Sequence, residues 1–402
     1  MGNAESPATL RKLQPQVILL GVVSLLNDSA SEMIYPLLPI FITTMLGGSP
    51  VTVGLIEGAA DALASILKFV AGTWSDRIRH RKPLIATGYA LAAASRALIG
   101  AASTWITVLN ARLIDRTGKG IRSAPRDAMI SDVTPPEQRG RAYGFHRAMD
   151  HTGAVIGPLI ATLLLSGMGV TMRHMFYIAV IPGAIAVVLL LLLLKEPERG
   201  AAHFNAPDSG LKPAAPLGRP FHRVIFAIAL FSLANSSDAF LLLQAHVAGV
   251  STAMLPLLWS AHHVVKSLLS THGGALSDRI PRRHVIAIGW TLYALTYFFF
   301  PFAQSVTAFF ALFVFYALPF VFSEGAERAM ISDFLPAEAR GKGFGIYYLV
   351  SGLGVLAGSL IFGEIYQHVS QRAAFAVGAG LALAAAIVIT ATGTAARTSS
   401  SR

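Results

Sequence analysis

The chain has no cysteine, which excludes disulfides, thiolate nucleophiles and cysteine-ligated metals. Charge is scarce as well. Only 13 % of the 402 residues are Asp, Glu, Lys or Arg, about half the share of roughly 25 % that a soluble domain carries. Acids are fewer than bases, 21 against 32, leaving a net charge of +11. The 12 histidines include no group at zinc-site spacing. Thr117-Gly118-Lys119-Gly120 lacks the upstream glycine and the following hydroxyl of a phosphate-binding loop, so nothing supports driving by ATP. No nucleophile–base spacing marks an enzyme, and no metal or cofactor is expected. Strand-like alternation is absent too.

Apolar sequence fills the space that charge leaves: 54 % of residues are hydrophobic. A bilayer core takes about 20 apolar residues per helix, and that ruler predicts about twelve spans. They fall near 16–46, 51–74, 83–102, 104–128, 140–166, 173–194, 221–247, 252–276, 284–302, 305–330, 341–368 and 370–392. The hairpins on one side, such as Gly47-Gly48-Ser49-Pro50 and Ser166-Gly167, are almost uncharged. Those on the other hold Arg77, Arg79, Arg81 and Lys82, then Arg139 and Arg141, then Arg279, Arg282 and Arg283, then Arg340 and Lys342. Cations collected in short loops follow the positive-inside rule, which places both termini in the cytoplasm and argues against nucleic acid as the partner. The polar first fifteen residues lead into a retained first span rather than a cleaved signal. Residues 195–220, rich in Pro, Gly and Ala, read as a flexible cytoplasmic linker. The expected organisation is a six-helix bundle over 1–194, the linker over 195–220, and a second bundle over 221–402 ending in a short disordered tail.

One stretch, Arg112 to Gly144, breaks the apolar pattern. Arg112, Arg116, Lys119, Arg122 or Ser123, and Arg126 recur at steps of three and four, which is one face of a helix. Such a ladder inside a membrane must look into protein or water. Its end repeats later in the chain. AMISDVTPPEQRGRAYG at 128–144 matches AMISDFLPAEARGKGFG at 329–345, a shift of 330 − 129 = 201. GTWSDRIRHRKPLI at 72–85 matches GALSDRIPRRHVI at 274–286, a shift of 278 − 76 = 202. Two matches at nearly one offset imply a duplicated six-helix unit, with the substrate site where the repeats meet.

With these motifs the chain resembles the major facilitator superfamily over essentially its whole length. The loop Gly72-x-x-x-Asp76-Arg77, with Arg79, Arg81 and Lys82, is similar to the family's motif between spans two and three. It recurs as Gly274-x-x-x-Asp278-Arg279 with Arg282 and Arg283. Trp74 and Arg79 depart from the family's Leu and Gly. The resemblance implies a conformational latch at Asp76, Arg77, Arg81, Asp278 and Arg279. Arg112 with Gly118 resembles the fourth-span arginine pattern of proton-coupled members, with Arg116 standing where the family has Gly. Gly153-x-x-x-Gly157-Pro158 resembles the span-five motif of the exporter branch, in which the glycines make a groove and the proline permits a bend. The fold implied is all-α: twelve transmembrane helices in two pseudo-symmetric bundles. A monomer in the inner (cytoplasmic) membrane is the family default.

The interior charges suggest the chemistry. Asp28, Glu32 and Tyr35 share one face of span one, beside Asn27; Glu57 and Asp61 share a face of span two. Each charge at the bilayer centre costs about 2.5–3.5 kcal/mol on insertion scales, so these must line a cavity or pair. Asp28, Glu32, Glu57, Asp61, Arg112 and Asp150 are the candidates for proton coupling. Asn27, Tyr35, Arg116, Lys119, His146, Arg147, Asn235, Asp238, His262 and Lys266 are the candidate cavity lining. Lys68, Arg122, Glu327 and Arg328 read better as helix-end charges that snorkel. A carboxylate in an apolar wall holds a proton more readily, and an approaching arginine expels it. The expectation is a proton-coupled exporter of a small polar or anionic solute, with Asp28 or Glu32 carrying the proton and Arg112 modulating it. The alternatives are efflux of lipophilic or cationic drugs, served by aromatics such as Tyr35, Phe240 and Trp259, and a membrane sensor or lipid flippase that moves no coupled solute.

Overall fold

The computed structural model describes residues 13–75, 80–134, 139–196, 218–334 and 340–392. Among these there is no strand; the chain is a series of long helices. They are α1 (Pro15–Met45), α2 (Pro50–Ser75), α3 (Lys82–Ala101), α4 (Trp105–Asp132), α5 (Arg139–Thr162) and α6 (Met172–Leu193). Then follow α7 (Arg219–Val247), α8 (Leu255–Arg279), α9 (Arg282–Phe302), α10 (Val306–Ile331), α11 (Arg340–His368) and α12 (Gln371–Thr390). Ten of these stretches are long and apolar enough to cross a membrane. The other two are α4, with its ladder of charges, and α8, with His262, His263 and Lys266. Helices suit this composition because each backbone group is satisfied within its own segment.

Sequence marks the ends. Thr171, Ser305 and Ser370 cap α6, α10 and α12 by accepting from the backbone N–H three residues on. Gly47, Gly169 and Gly249 close the turns after α1, α5 and α7 with φ of 66°, 65° and 91°, a region closed to most side chains. The spacing predicts an end for α4 near 128, but the helix runs through Pro125 to Asp132. Proline removes a single backbone bond, and Arg81 of α3 fastens the far end by donating to Asp132 at 2.6 Å.

Packing repeats between the halves. In the first, α1 lies on α5 and α6, α3 on α4 and α6, and α2 on α4. In the second, α7 lies on α11 and α12, α9 on α10 and α12, and α8 on α10. The halves meet through α2 against α11 and α5 against α8, which are themselves symmetry counterparts. A Cβ added at Gly153 would stand 2.6 Å from the Leu25 carbonyl oxygen, and one at Gly157 would collide with the Ser29 carbonyl. These glycines therefore let α5 press on α1. Gly354 and Gly358 of α11 meet Ser232 and Leu233 of α7 in the same way, at offsets of 354 − 153 = 201 and 358 − 157 = 201. The pair is thus a packing device present in both halves; only the proline is peculiar to the first.

Helices α1 and α7 both depart from α geometry partway. α1 tightens at Tyr35–Leu37 and widens at Phe41–Met45, around Pro36 and Pro39. α7 stops at Ala234 and restarts at Ala239. In the gap Ser237 donates its N–H to Ser359 of α11 at 3.0 Å, and Ser236 bonds the Tyr297 hydroxyl at 2.8 Å. Breaks at related places in two repeats expose backbone and polar side chains where transporter folds bind their cargo.

Of the loop motif, Asp76 and Arg77 lie outside the described residues, as do the side chain of Asp278 and the greater part of the linker and the terminal tail. Arg279 is exposed at the end of α8. The described part reveals a different symmetric tie. Arg81–Asp132 recurs as Arg282–Asp333 at 3.1 Å, joining α9 to the end of α10. The offsets are 282 − 81 = 201 and 333 − 132 = 201.

Candidate functional site

The polar face of α1 begins with a sequence of short contacts. Arg96 of α3 is buried and donates to the Asn27 carbonyl at 3.0 Å, the Asn27 side-chain oxygen at 2.8 Å and the Ser31 hydroxyl at 2.7 Å. Arginine has no acceptor, so it fixes the Asn27 amide with its oxygen toward α3. The amide nitrogen is left to donate to Asp28, at 3.1 Å. Asn27 is therefore a buried positioning group rather than a cavity wall. Asp28 and Glu32 are half-buried, and among the described residues neither has a basic group within ion-pair distance. Glu32 instead accepts a hydrogen bond from Trp259 of α8 at 2.7 Å. The Trp259 ring packs 4.9 Å from Tyr35, so α1 and α8 touch across the two halves.

Arg112 of α4 has a different partner. It donates to both oxygens of Glu57 of α2, at 3.0 and 2.6 Å, and both residues are buried. This two-pronged geometry is the strong form of a guanidinium–carboxylate contact. Its guanidinium also lies 5.7 Å from the Tyr35 ring and 3.6 Å from Asp115. Arg116 is shared between Asp61 at 3.5 Å and Asp115 at 3.7 Å. Lys119, midway along α4, is exposed, and among the described residues no acid lies within ion-pair distance of it. Asp61, midway along α2, keeps 45 % of its side chain exposed. An exposed lysine and a half-exposed aspartate, each at mid-helix, require water beside them.

From α5, Asp150 accepts from Ser24 of α1 at 2.5 Å and lies 3.5 Å from His146. His146 is buried, whereas Arg147 is exposed and lies 3.9 Å from Asp150. In the second half, Lys266 of α8 pairs with Glu324 of α10 at 2.5 Å and stands over the Phe320 ring. Asp238, in the break of α7, accepts from the Tyr316 hydroxyl at 2.8 Å; Asn235 is half-buried beside the same break. His262 does not open onto this space. It is 2 % exposed and sits among Trp259, Phe313, Tyr316 and Phe320, with Nδ1 facing the Phe313 carbonyl. Aromatic packing on three sides explains its retreat. Arg122 also departs from the expectation of a snorkelling helix-end charge. It is buried, donates to the Gly88 carbonyl at 3.1 Å and stacks 4.6 Å over Tyr89.

Sequence reasoning missed Arg96 and Tyr316. Arg96 carried a signal: it is the only charged residue inside the third apolar run, and such residues mark function or a buried partner. Tyr316 carried none, because an aromatic residue inside an apolar run reads as core.

Comparison with known proteins identifies the architecture. The sequence profile described as Major Facilitator Superfamily matches residues 20–264 and 240–401. The chain belongs to this superfamily. An uncharacterised MFS-type transporter of Methanocaldococcus jannaschii is 30 % identical over 385 residues, 94 % of this chain and 95 % of that protein. The multidrug resistance protein MdtH of Yersinia enterocolitica is 36 % identical over 133 residues, 33 % of each chain. The crystal structure of the nucleoside transporter NupG superposes with a TM-score of 0.77 over 94 % of this chain and 99 % of that one. At 14 % identity this likeness speaks for the fold alone. The chain is a multi-pass membrane transporter of the MFS type and not an enzyme.

Proposed function

We propose that this transporter exports a small polar or anionic solute by alternating access, in exchange for protons. The observation that carries the reading is the contrast between two sets of acids. Glu57 is closed on Arg112, while Asp28 and Glu32, on α1, take hydrogen bonds from the neutral Asn27 and Trp259 and, among the described residues, have no basic group within ion-pair distance. A carboxylate without a counter-charge in a partly dry site gains by binding a proton, and one facing a guanidinium gains by losing it. Rocking of the halves exchanges these situations. In one state Glu57 holds Arg112; when Glu57 is neutralised, Arg112 is free to turn past Tyr35 toward the Trp259–Glu32 contact. Asp28 or Glu32 carries the proton, Arg112 is the switch, and Asp61 and Asp150 are the further acids of the relay.

Lys119 and Arg147 favour an anionic cargo, being exposed cations with the weakest internal pairing. Arg116, Lys266 and Asn235 supply further donors. The surplus of cations in the loops supports an inner-membrane protein with both termini cytoplasmic, and the family default supports a monomer. A second reading, multidrug efflux, is favoured by the likeness of one third of the chain to MdtH and by Tyr35 and Trp259 at the meeting of the halves. The test is flux in sealed vesicles under an imposed pH gradient, with citrate-like acids and quaternary amines as competing probes. Competition by the acids alone supports the first reading and by the amines alone the second. Asp28→Asn, Glu32→Gln and Arg112→Gln should each abolish gradient-driven flux while leaving the protein folded. Unaltered coupling in all three overturns the assignment.

A further inference from the structure

Glu327 of α10 has no part in the mechanism above. It is 8 % exposed, and its two oxygens take two neutral donors: Trp290 Nε1 of α9 at 2.9 Å and the Tyr347 hydroxyl of α11 at 3.3 Å. Among the described residues no basic group lies within ion-pair distance of it. The nearby charges are engaged elsewhere or turned outward. Glu324, one turn earlier, is paired with Lys266 of α8, and Arg328 is exposed. Tyr348 stands beside Tyr347 on α11.

The first half carries different chemistry at the same three positions. At the common offset, Glu327 falls on Arg126 (327 − 126 = 201), Trp290 on Tyr89 (290 − 89 = 201) and Tyr347 on His146 (347 − 146 = 201). Arg126 is neutralised by Asp127 at 3.0 Å. The counterpart of Asp127 is Arg328 (328 − 127 = 201), so the neighbours are reversed in sign, but Arg328 is exposed and, among the described residues, makes no ion pair with Glu327. The second half thus carries an acid between two neutral donors where the first carries a base paired with its neighbour.

We propose that Glu327 is a second proton-binding site, lodged in the C-terminal half with Trp290 and Tyr347 as its fixed partners. The choice of partners supports this. An ionised carboxylate kept in such a place without a counter-charge is expensive, and taking a proton removes the charge. Trp290 can only donate, so it serves the oxygen that stays unprotonated. Tyr347 can donate or accept. It donates to the carboxylate and, after its hydroxyl turns, accepts from the carboxylic acid. Every polar atom of the cage keeps a partner in both protonation states, which an ordinary structural acid does not need. The proton resides on the oxygen facing Tyr347. The inference needs no assumption about Asp28 or Glu32, because it concerns titration and not flux.

The test uses the purified full chain in detergent. Infrared difference spectra taken across a pH titration should lose the C=O stretch of one carboxyl in Glu327→Gln. In a variant with Trp74, Trp105 and Trp259 replaced by Phe, the emission of Trp290 should show one pH transition that Glu327→Gln removes. Spectra that superimpose on the parent's, or an emission flat with pH, overturn the proposal. If Glu327→Gln does not fold, Tyr347→Phe in the same single-tryptophan background provides the test. Loss of a donor to the ionised form should move the transition to higher pH, and an unmoved transition counts against the site.

Discussion

Arg112 and Glu57 form a buried pair whose members depend on each other. Both are almost inaccessible, and their contact is two-pronged. Removing one partner of such a pair strands the other charge, which costs about 3–5 kcal/mol, whereas removing both leaves nothing unpaired. Glu57→Gln alone should therefore lower the thermal unfolding midpoint in detergent clearly, and the double variant Glu57→Gln/Arg112→Gln should regain most of the loss. Equal destabilisation by the single and double changes would mean that the pair is not the source. Arg96 plays a subtler part. It orients the Asn27 amide, which in turn serves Asp28, so Arg96→Gln should alter the pH profile of transport even where the folded protein is recovered. A pH profile identical to the parent's would make Arg96 purely structural. The sequence made Arg112 conspicuous but could not reveal its partner. Spacing along α2 and α4 gives the face each residue occupies, while the height at which the two helices meet is set by close contacts such as Gly120 of α4 against Leu67 of α2.

Helix type, order and limits were largely legible, because a run of apolar residues about as long as the bilayer is thick has few other uses. The ends of α4 and the breaks in α1 and α7 were less so. A proline such as Pro36 or Pro125 permits a break without requiring one; the neighbours that take up the freed backbone groups decide. In α7 those neighbours are Ser359 and Tyr297, more than sixty residues away in sequence. Where helices cross, the glycine pairs are the limiting contact. Gly157→Leu forces a side chain into the Ser29 backbone, and overpacking of this kind typically costs about 1–3 kcal/mol. Gly358→Leu should do the same to α11 and α7, since the two sites are equivalent. A change at Gly157 that lowers thermal stability beside a silent one at Gly358 would contradict the symmetry of the packing. The exporter-like glycine motif therefore reports on how α5 meets α1, and its presence is not by itself a guide to cargo.

The whole molecule is a duplicated unit that has diverged in charge. Its helix contacts, glycine grooves and Arg–Asp ties repeat, while the ladder of α4 has no like-charged copy on α10: Arg112, Arg116, Lys119 and Arg126 fall at the offset of 201 on Phe313, Ala317, Phe320 and Glu327. The first half is therefore rich in cations and the second in aromatics, so a solute between them meets different chemistry on its two sides. Repeat symmetry was readable from the loops, and the same offset carries the asymmetry of charge; which acids have a basic partner is visible only in the fold. The central claim is that Asp61 and Lys119 face water enclosed between the halves and not lipid. The absence of native cysteine allows it to be tested directly, with single-cysteine variants and a hydrophilic, membrane-impermeant thiol reagent. Asp61→Cys and Lys119→Cys should react from one side of intact vesicles, whereas Leu192→Cys, on the outward face of α6, should not. Unreactive cysteines at 61 and 119, or reaction at 192 as fast as theirs, would contradict a watery chamber.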